Sequence, residues 1–536
     1  MSGGASGTPR RSHARLETIA LGGIALFGAV LRVRQWFEAR SLWLDETSLA
    51  QSFNQLGFPG IVTQPLLGNQ SAPPGYLFAT QAASRVFGFD ERALRLTALL
   101  AGLATMAVAV IVARRLLSHP VARIAFVALV ALSPALIYYS NELKQYSTDV
   151  LALMVVLALW SLRDHPRRVP FLAVGGFLIA IFSLVGIIAL LAFGVAYAIE
   201  HLSHRSGDHA STDTDPPQPA ESRRQRAVVA GVWAAGIALH AWYSLRSGTD
   251  REFMQTYWGD RGAFPPQSIG SIGELEWYPL SIMRLIWVGI GEEVRIGERA
   301  ATGSALATVI VIALFVVMLR TRRDLRSLVL TIFAFAWVLA ELRIYPTSGR
   351  LSLYVVPIVF IAIASGLDSL LQTRRAFPSI LALGGVGVLL FIQAGFALNY
   401  LKDPLNDRDM KWALSQIEEH RANDDLLVVN SGTRRIVQWY LPTEVKLGLT
   451  RIDVNFSEFE ASGLPDELLN GSHERFWIVS THRNWEALTL RDALVAEGLI
   501  DLCTFNADGT MLSLLSRQVT GTEAEPDPSC DFMTSR

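Results

Sequence analysis

Residues 16–46 read LETIALGGIALFGAVLRVRQWFEARSLWLDE, a long apolar segment that is followed by two adjacent acids. The apolar part, residues 16–37, is long enough to cross a bilayer, which takes roughly 20 residues of helix. Asp45 and Glu46 come shortly after its end. Acids at a membrane boundary are costly and tend to mark a chemical or transport site. This stretch therefore predicts a membrane protein with a candidate site at the edge of its first helix.

The composition of the whole chain agrees with a membrane protein. Of the 536 residues, 51% are hydrophobic and only 18% are charged, whereas soluble proteins carry about 25% charged residues. The net charge of −1 gives no overall field that would attract nucleic acid. We expect a polytopic α-helical membrane protein with a small α/β domain at its C-terminal end.

The apolar blocks predict about eleven transmembrane helices. The fifth and sixth are short and adjoin each other. The expected spans are residues 16–37, 93–113, 122–139, 146–162, 169–183, 185–202, 226–245, 302–319, 327–343, 351–371 and 378–399.

Arginine clusters indicate how these spans are oriented. They occupy the N-terminus and alternate connections, including Arg114-Arg115 and Arg374-Arg375, so that all of them fall on one side of the membrane. The positive-inside bias identifies that side as the cytoplasm. Loops 38–92 and 246–301 and the region after residue 400 then lie on the outer face of the plasma membrane.

One part of loop 38–92 needs a separate interpretation. Residues 73–89 begin with PPGY and continue as an apolar stretch. Counting this stretch as a further span would place Arg114-Arg115 outside and break the charge pattern. We interpret it as an amphipathic helix that lies in the membrane interface.

Residues 401–518 have the pattern of a small extracytoplasmic α/β domain. Apolar strands alternate with amphipathic helices there. Strands are expected at 425–430 and 475–480, and helices at 409–420, 433–441 and 488–499.

The remaining segments and the two cysteines complete the domain plan. Outside the transmembrane domain (16–400) we expect a cytoplasmic N-terminus (1–15) and a disordered tail (519–536). The polar residues 203–225 predict a disordered cytoplasmic loop. Cys503 and Cys530 can form a disulfide outside the cytoplasm or remain two thiols, because sequence alone does not show proximity.

Asp45 and Glu46 are the first candidates for chemistry. A carboxylate near an apolar wall can act as a general base toward a hydroxyl. Glu46 can orient Asp45 or, with it, bind a divalent cation such as Mg²⁺ or Mn²⁺, although nothing in the sequence requires a metal. The alternative is that both acids begin a surface helix, where the helix dipole stabilises them.

A second set of candidates surrounds the start of the fourth span. Glu142 and Lys144 precede the span, and Tyr146 and Asp149 lie one helical turn apart just inside it, so both can face the interior of the bundle. Lys144 can bind a phosphate oxygen as a point charge. The alternative is an interfacial belt of lysine and tyrosine.

Arginines on the outer face form a third set. Arg350 lies in a segment with Arg343, Tyr345 and Tyr354, and an arginine there runs against the positive-inside bias. Its guanidinium matches phosphate by paired hydrogen bonds, unless it merely snorkels or forms an ion pair. Arg95, near the start of the second span, is a similar candidate or an anchor of the helix end.

Three stretches together resemble the GT-C superfamily of membrane glycosyltransferases. The similarity is greatest to the branch with the dolichyl-phosphate-mannose–protein mannosyltransferases, the lipid A aminoarabinose transferase and related bacterial proteins. LWLDE at 42–46 resembles the acidic motif of the family's first outer loop. PPGYL at 73–77 with RALRL at 92–96 resembles the following segment, and YSNELKQY at 139–146 resembles its "YSQEARMYA" stretch. Later spans agree only in hydropathy and in GRLSLY at 349–354.

The resemblance implies a polyprenyl-phosphate sugar donor and transfer with inversion at the anomeric carbon. By the match, Asp45 is the base, with Glu46 beside it. Glu142, Lys144, Tyr146 and Arg350 become candidates for the donor phosphate or its surroundings.

The chain departs from the family pattern at two positions. Lys144 stands where the family usually has arginine, so bidentate binding of phosphate is not expected from this residue. Residues 181–184, IFSL, replace the "Thr-His-Tyr" often found near the fifth span, so no metal or acceptor contact is carried over from there.

Two other functions are less well supported by the sequence. A transporter or flippase of lipid-linked saccharides is also polytopic, but it would be expected to show repeats and broken helices near the midplane, and no repeat is visible in the sequence. A membrane anchor for a soluble binding domain would need far fewer spans. The expected partners are a polyprenyl-phosphate-linked sugar, the bilayer, and a glycan, lipid or protein acceptor, without nucleic acid.

Overall fold

A computed structural model describes residues 8–162, 165, 167–207, 223–246, 250–267, 272–290, 300–373, 376–441, 450–507 and 509–517. The chain divides into two compact units. Unit 1 comprises Met1–Phe37 and Leu56–Pro404, and unit 2 comprises Glu38–Gln55 and Leu405–Arg536. The acidic pair therefore belongs to the same unit as the C-terminal region.

Unit 1 is built from helices. Helix α2 (Leu44–Thr63) begins in unit 2 and continues into unit 1, with a break at Gly57, whose φ of 63° favours glycine. The other helices of unit 1 are α1 (Thr8–Phe37), α3 (Pro74–Phe87), α4 (Glu91–Leu116), α5 (Pro120–Leu132), α6 (Pro134–Tyr139), α7 (Tyr146–Trp160), α8 (Arg168–Phe182), α9 (Leu184–Gly207), α10 (Arg223–Arg246), α11 (Arg251–Gly259), α12 (Trp277–Ile290), α13 (Ala300–Thr321), α14 (Arg323–Glu341), α15 (Val356–Gln372) and α16 (Ala376–Lys402), with 3₁₀ helices at Leu67–Asn69, Ile272–Glu276 and Gly349–Val355.

Every predicted span coincides with helix in the structure. Within the described residues, six helices are long and apolar enough to cross a membrane. The helices at the remaining predicted spans are shorter or less apolar, so a total of eleven spans is not established. The six are Ala14–Phe37, Glu91–Leu116, Leu184–Leu202, Arg224–Arg246, Gly349–Gln372 and Ala376–Lys402.

The third predicted span is interrupted at Ser133. Proline has no N–H to continue the helical ladder, so a new helix begins at Pro134. The freed carbonyls of Val130 and Ala131 accept hydrogen bonds from the buried Arg32 guanidinium at 3.1 and 3.3 Å. Arg32, which the sequence analysis did not single out, thus satisfies the end of α5.

Helix α15 lies in the core of unit 1. It is predominantly apolar and buried from Val356 to Ser369, as expected of an interior helix. Helix α13 approaches it so closely that a Cβ on Gly366 would lie 2.2 Å from the Leu314 carbonyl oxygen. The 3₁₀ helix Gly349–Val355, directly before α15, packs against α7. This packing brings the segment of Arg350 to the start of α7.

Unit 2 contains a five-stranded sheet in the order β2-β1-β3-β5-β4. Strand β1 pairs in parallel with β2 and β3, whereas β5 runs antiparallel to β3 and β4. The strands are β1 (Leu426–Asn430), β2 (Thr450–Val454), β3 (Arg475–Ser480), β4 (Ile500–Ala507) and β5 (Thr510–Ser516), and the helices are α17 (Met410–His420), α18 (Arg434–Tyr440), α19 (Phe456–Ser462), α20 (Asp466–Asn470) and α21 (Asn484–Ala496).

Side chains of β1 alternate between two apolar clusters. Leu427 and Val429 pack with α17, and Leu426 and Val428 pack with α21. The strand is therefore covered on both faces, which explains why its sequence is an uninterrupted apolar run rather than an alternating one.

The predicted strands at 425–430 and 475–480 and the predicted helices at 409–420 and 433–441 are present. The last helix begins at Asn484, before the predicted residue 488. Strands β2, β4 and β5 were missed because polar residues interrupt their apolar pattern.

Some sequence predictions concern residues outside the described ranges. Helix α9 extends to Gly207 and α10 begins at Arg223, so both ends of the predicted linker 203–225 are helical. The rest of that linker, the tail 519–536 and Cys530 lie outside the described residues.

Candidate active site

The first candidate group lies in unit 1, in the turn that connects α6 to α7. Ser140 Oγ donates to the Ile137 carbonyl at 2.6 Å, and Asn141 Nδ2 donates to the same oxygen at 3.0 Å. The backbone N–H of Lys144 donates to the Glu142 carbonyl at 2.7 Å. These local bonds fix the conformation of the turn and thereby the position of Lys144.

Lys144 is the buried cation of this group. Its side chain is only 5% exposed, and its Nζ donates to Oε1 of Gln70, which lies just before α3. Charge interactions are stronger in a poorly hydrated interior than in water. An ammonium held there can therefore neutralise an anion more effectively than a surface lysine.

Tyr146 and Arg350 approach each other at the start of α7. The guanidinium carbon of Arg350 lies 6.0 Å from the centroid of the Tyr146 ring, at the outer limit of a cation–π contact. The Tyr146 ring also packs edge-on against Tyr139, with centroids 5.3 Å apart. The structure thus brings together Tyr146 and Arg350, which are far apart in sequence, at the turn that carries Lys144.

Asp149 extends this group by one turn into α7. Ser183 Oγ donates to Asp149 Oδ1 at 2.5 Å, which joins α7 to the start of α9. Tyr345 belongs to the same environment: burial, and then the charges of Asp149 and neighbouring tyrosines, raises the pKa of Tyr345 well above its ordinary value. The protonated hydroxyl of Tyr345 donates to the Leu351 carbonyl at 3.2 Å.

The other predicted residues of unit 1 are buried, with one exception. Glu142 is buried within the turn, and Arg95 is buried on α4, which packs against α7. The exception is Arg343, which is only half-buried. Its guanidinium carbon lies 5.6 Å from the centroid of the Phe264 ring. A cation–π contact therefore accounts for Arg343, whereas Arg350 belongs to the group at Tyr146.

The second candidate group is the acidic pair, in the first turn of α2 in unit 2. Glu46 is fully buried, and its Oε2 accepts the backbone N–H of Trp43 at 3.3 Å. This is a capping arrangement, in which an acid at the third helical position reaches back to the residue before the helix. Asp45 is partly exposed. Both acids therefore lie in the first turn of a helix, as in the alternative interpretation, but that turn is largely buried rather than on the surface, and Glu46 caps it.

The segment before α2 is tied to the C-terminal part of unit 2. Because its contacts include an ion pair and two further hydrogen bonds, the backbone leading to Asp45 is held in place. The contacts are Leu42 N–H to Tyr440 Oη at 2.7 Å, Ser41 Oγ to Asp409 Oδ1 at 3.0 Å, and Arg40 Nη1 to Asp407 Oδ1 at 3.2 Å.

His482, in the loop after β3, is an ionisable neighbour of Asp45 that sequence reasoning missed. Burial, followed by the positive charges of Arg483 and Arg408, lowers the pKa of His482 below 6.5, while Asp45 and Glu486 act in the opposite direction. The imidazole is therefore neutral at pH 7, where it can accept a hydrogen bond or a proton.

Two other functional candidates were also missed. Gln70 carries no chemical signal of its own and is found only through its contact with Lys144. Ser183 stood out only as part of a departure from the family pattern. The signal for it was Asp149, because an acid inside an apolar helix needs a polar partner.

The sequence left open whether the acidic pair binds a divalent cation. Within the described ranges, no three His, Cys, Asp or Glu side chains are grouped so as to hold a metal ion. Glu46, one of the two carboxylates considered for it, is engaged with the Trp43 backbone.

A comparison with protein-family models gives a match over part of unit 1. Residues 71–203 match the family described as "Dolichyl-phosphate-mannose-protein mannosyltransferase". The matched range contains Glu142, Lys144, Tyr146 and Arg95. A comparison with curated proteins gives no match.

Two solved structures of ArnT from Cupriavidus metallidurans are among those to which this chain is similar. The one bound to undecaprenyl phosphate is 15% identical, with a TM-score of 0.49, covering 94% of this chain and 99% of that chain. The apo structure is 16% identical with the same TM-score of 0.49, covering 93% and 98% of the two chains.

An oligosaccharyltransferase from Archaeoglobus fulgidus, in complex with zinc and sulfate, is 14% identical with a TM-score of 0.41, covering 86% of this chain and 68% of that chain. At these TM-scores, likeness to solved structures transfers neither residue roles nor substrates. The sequence match does confirm the predicted resemblance: residues 71–203 of this chain have the pattern of the dolichyl-phosphate-mannose–protein mannosyltransferases, a family of membrane glycosyltransferases.

Proposed function

We propose that this protein transfers a sugar from a polyprenyl-phosphate donor to an acceptor hydroxyl on the outer face of the plasma membrane, with inversion at the anomeric carbon. The observation that carries the proposal is the buried ammonium of Lys144 beside Tyr146, in the stretch that matches a family named for a lipid-phosphate sugar.

The chemistry of unit 1 suits the phosphate of such a donor. When the sugar leaves, negative charge grows on the phosphate, and preorganised cations stabilise it. Lys144 supplies a buried point charge, and Arg350 supplies a guanidinium able to bind two phosphate oxygens. Tyr146 and the protonated hydroxyl of Tyr345 complete a polar group at the start of an apolar helix. The helices around it offer an apolar surface to the lipid chain.

Asp45 is the proposed general base. The acceptor oxygen forms a new bond to the anomeric carbon while the bond from that carbon to the phosphate oxygen breaks, and the acceptor proton goes to the Asp45 carboxylate. Partial exposure on a firmly held first helical turn suits this role. Glu46 helps to position Asp45, because its capping hydrogen bond with the Trp43 N–H holds the start of α2.

The arginine clusters of alternate connections support the proposed orientation, since they favour the cytoplasmic side. The loops and the C-terminal region that carry Lys144, Arg350 and Asp45 then face outward. A lipid-linked sugar presents its head group at that interface while its chain stays in the bilayer.

Turnover can be tested with the full chain in lipid nanodiscs and a panel of polyprenyl-phosphate sugars. Liberated polyprenyl phosphate is measured by mass spectrometry. We expect release from at least one lipid donor and none from the same sugars carried on nucleotide diphosphates. Absence of release from every donor, together with donor movement across proteoliposome membranes, would contradict the proposal and indicate a transporter.

A further inference from the structure

Unit 2 carries polar groups at the carboxyl edge of its parallel strands that the proposed mechanism has not used. Strand β1 ends at Asn430, and the adjacent parallel strand β3 ends at Ser480. The chain leaves β1 for β2 on one side and returns to β3 on the other. The two strands therefore form a topological switch point, and open α/β sheets bind ligands outside the carboxyl ends of strands at such a point.

Two buried polar atoms at this edge have no hydrogen-bond partner within the described part of the chain. Asn430 and Thr481 are each 2% exposed. The Nδ2 of Asn430 donates to the His482 carbonyl at 3.0 Å and to Glu486 Oε2 at 3.2 Å. Across the described ranges, its Oδ1 has no partner, nor has Oγ1 of Thr481. Buried polar atoms are normally paired. An amide oxygen and a hydroxyl are suited to bind the hydroxyl groups of a ligand.

His482 adds a third polar group at the same edge. Its ring lies against Gly432, where a Cβ would come within 2.9 Å of His482 Cδ2, so a glycine is needed there. Because burial, Arg483 and Arg408 lower the pKa of His482, the neutral ring both donates and accepts hydrogen bonds at pH 7. A neutral group of this kind suits a hydroxyl-rich ligand.

An exposed tryptophan lies beside these polar groups. Trp485 is 56% exposed and directly precedes Glu486, the residue that bonds to Asn430. Its ring packs edge-on against Phe456, with centroids 4.8 Å apart, and Phe456 follows β2 at the same edge of the sheet. An aromatic ring combined with a few polar groups is the composition of a small-molecule site. The C–H face of a sugar ring can pack on the indole while its hydroxyls reach the polar groups.

We propose that unit 2 binds a carbohydrate acceptor at this edge, with Trp485 as the packing surface and Thr481, Asn430 and His482 as hydrogen-bonding groups. The inference rests on the proposed glycosyl transfer and deepens it, because it names the acceptor class as a glycan. Asp45, the proposed base, belongs to the same unit and its charge acts on His482. Unit 2 would then both bind the acceptor and remove the proton from its hydroxyl.

The test separates acceptor binding from donor turnover. Full-length protein in nanodiscs is probed by saturation-transfer NMR with mannotriose, maltotetraose and chitotetraose, and acceptor KM is measured with a glycan that binds. We expect Trp485→Ala to raise acceptor KM about tenfold, the effect of losing a typical side-chain contact, with donor hydrolysis in water unchanged. Trp485→Tyr should retain most of the affinity, and Phe253→Ala, an exposed aromatic of unit 1, is the matched control.

Thr481→Val removes the unpartnered hydroxyl and keeps the shape of the side chain. Since that hydroxyl has no partner among the residues that the structure describes, the variant should be at least as heat-stable as wild type, yet its acceptor affinity should fall about fivefold for the lost hydrogen bond. Unchanged acceptor affinity in Thr481→Val would show that this hydroxyl does not bind the acceptor.

The outcomes distinguish the two proposals. Wild-type protein that releases no sugar from any donor contradicts the proposed function itself. Wild-type turnover with none of the glycans bound, or with binding unchanged in both Trp485→Ala and Thr481→Val, overturns the acceptor site while leaving the transferase intact. Quenching of Trp485 fluorescence by brominated lipids, lost in Trp485→Ala, would instead assign the side chain to the membrane interface.

Discussion

At the scale of single residues, the acidic pair separates into two roles. Glu46 caps α2 through the Trp43 N–H, so Glu46→Ala should destabilise unit 2 by about 1 kcal/mol. Glutamine also forms capping boxes, and we therefore expect Glu46→Gln to have nearly wild-type stability and activity. Thermal unfolding and sugar transfer measured on both variants check this. A large activity loss in the stable Glu46→Gln protein would assign a chemical role to the carboxylate.

Lys144 can be tested against the family pattern. Lys144→Ala removes the proposed phosphate cation and should lower kcat about 10²-fold, the typical effect of losing one electrostatic stabiliser. Lys144→Arg, which restores the residue usual in the family, should keep measurable activity. Lys402→Ala, an exposed lysine at the end of α16, is the control. Equal rates for Lys144→Ala and wild type would remove Lys144 from the mechanism.

His482 makes the stability of unit 2 depend on pH. Its pKa is lowered below 6.5 by burial and nearby arginines, so the unfolded chain binds a proton more readily than the folded one. Stability should therefore fall as the pH drops from above to below 6.5. Hydrogen exchange of β1 and β3 at pH 7.5 and about 5.5 measures the effect. His482→Gln should reduce the difference, and an unchanged difference would point to another group.

At the scale of elements, helix packing depends on close contacts that hydropathy does not reveal. Gly366 faces the Leu314 carbonyl of α13, where a Cβ would lie 2.2 Å away. Gly366→Ala should destabilise unit 1 by about 1–3 kcal/mol or more through overpacking. Gly384→Ala, on α16 with no atom within 4 Å of its added Cβ, should be neutral in the same thermal-inactivation assay. Equal stability of the two variants would argue against close α13–α15 packing.

The secondary-structure elements explain which sequence predictions succeeded and which failed. Long apolar runs predicted helices such as α1, α4 and α16 because a stretch of about twenty predominantly apolar residues has few alternatives to a membrane helix. The break at Ser133 was missed because hydropathy continues across it, while Pro134 alone starts a new helix. Strand β5 was missed because Thr510, Ser513 and Ser516 interrupt its apolar pattern, although the structure buries all three.

At the scale of the whole molecule, two features lay beyond the sequence. The first is the grouping of Glu38–Gln55 with the C-terminal unit, which depends on contacts such as Leu42 with Tyr440 across the length of the chain. The second is the set of groups at the carboxyl edge of the sheet, including His482 and Trp485, which becomes visible only through the strand order. By contrast, the sequence already singled out Lys144, Tyr146 and Arg350, because basic residues on the predicted outer face run against the positive-inside bias and Tyr146 lies beside one of them.

The central claim is that Asp45 removes the acceptor proton during sugar transfer. The most direct measurement compares Asp45→Asn with wild type in nanodiscs, recording acceptor glycosylation and donor affinity separately, with the exposed Asp492→Asn in unit 2 as the matched control. The account predicts a loss of transfer of about 10²- to 10⁴-fold, with donor affinity and thermal stability unchanged. Transfer by Asp45→Asn at the wild-type rate would contradict it.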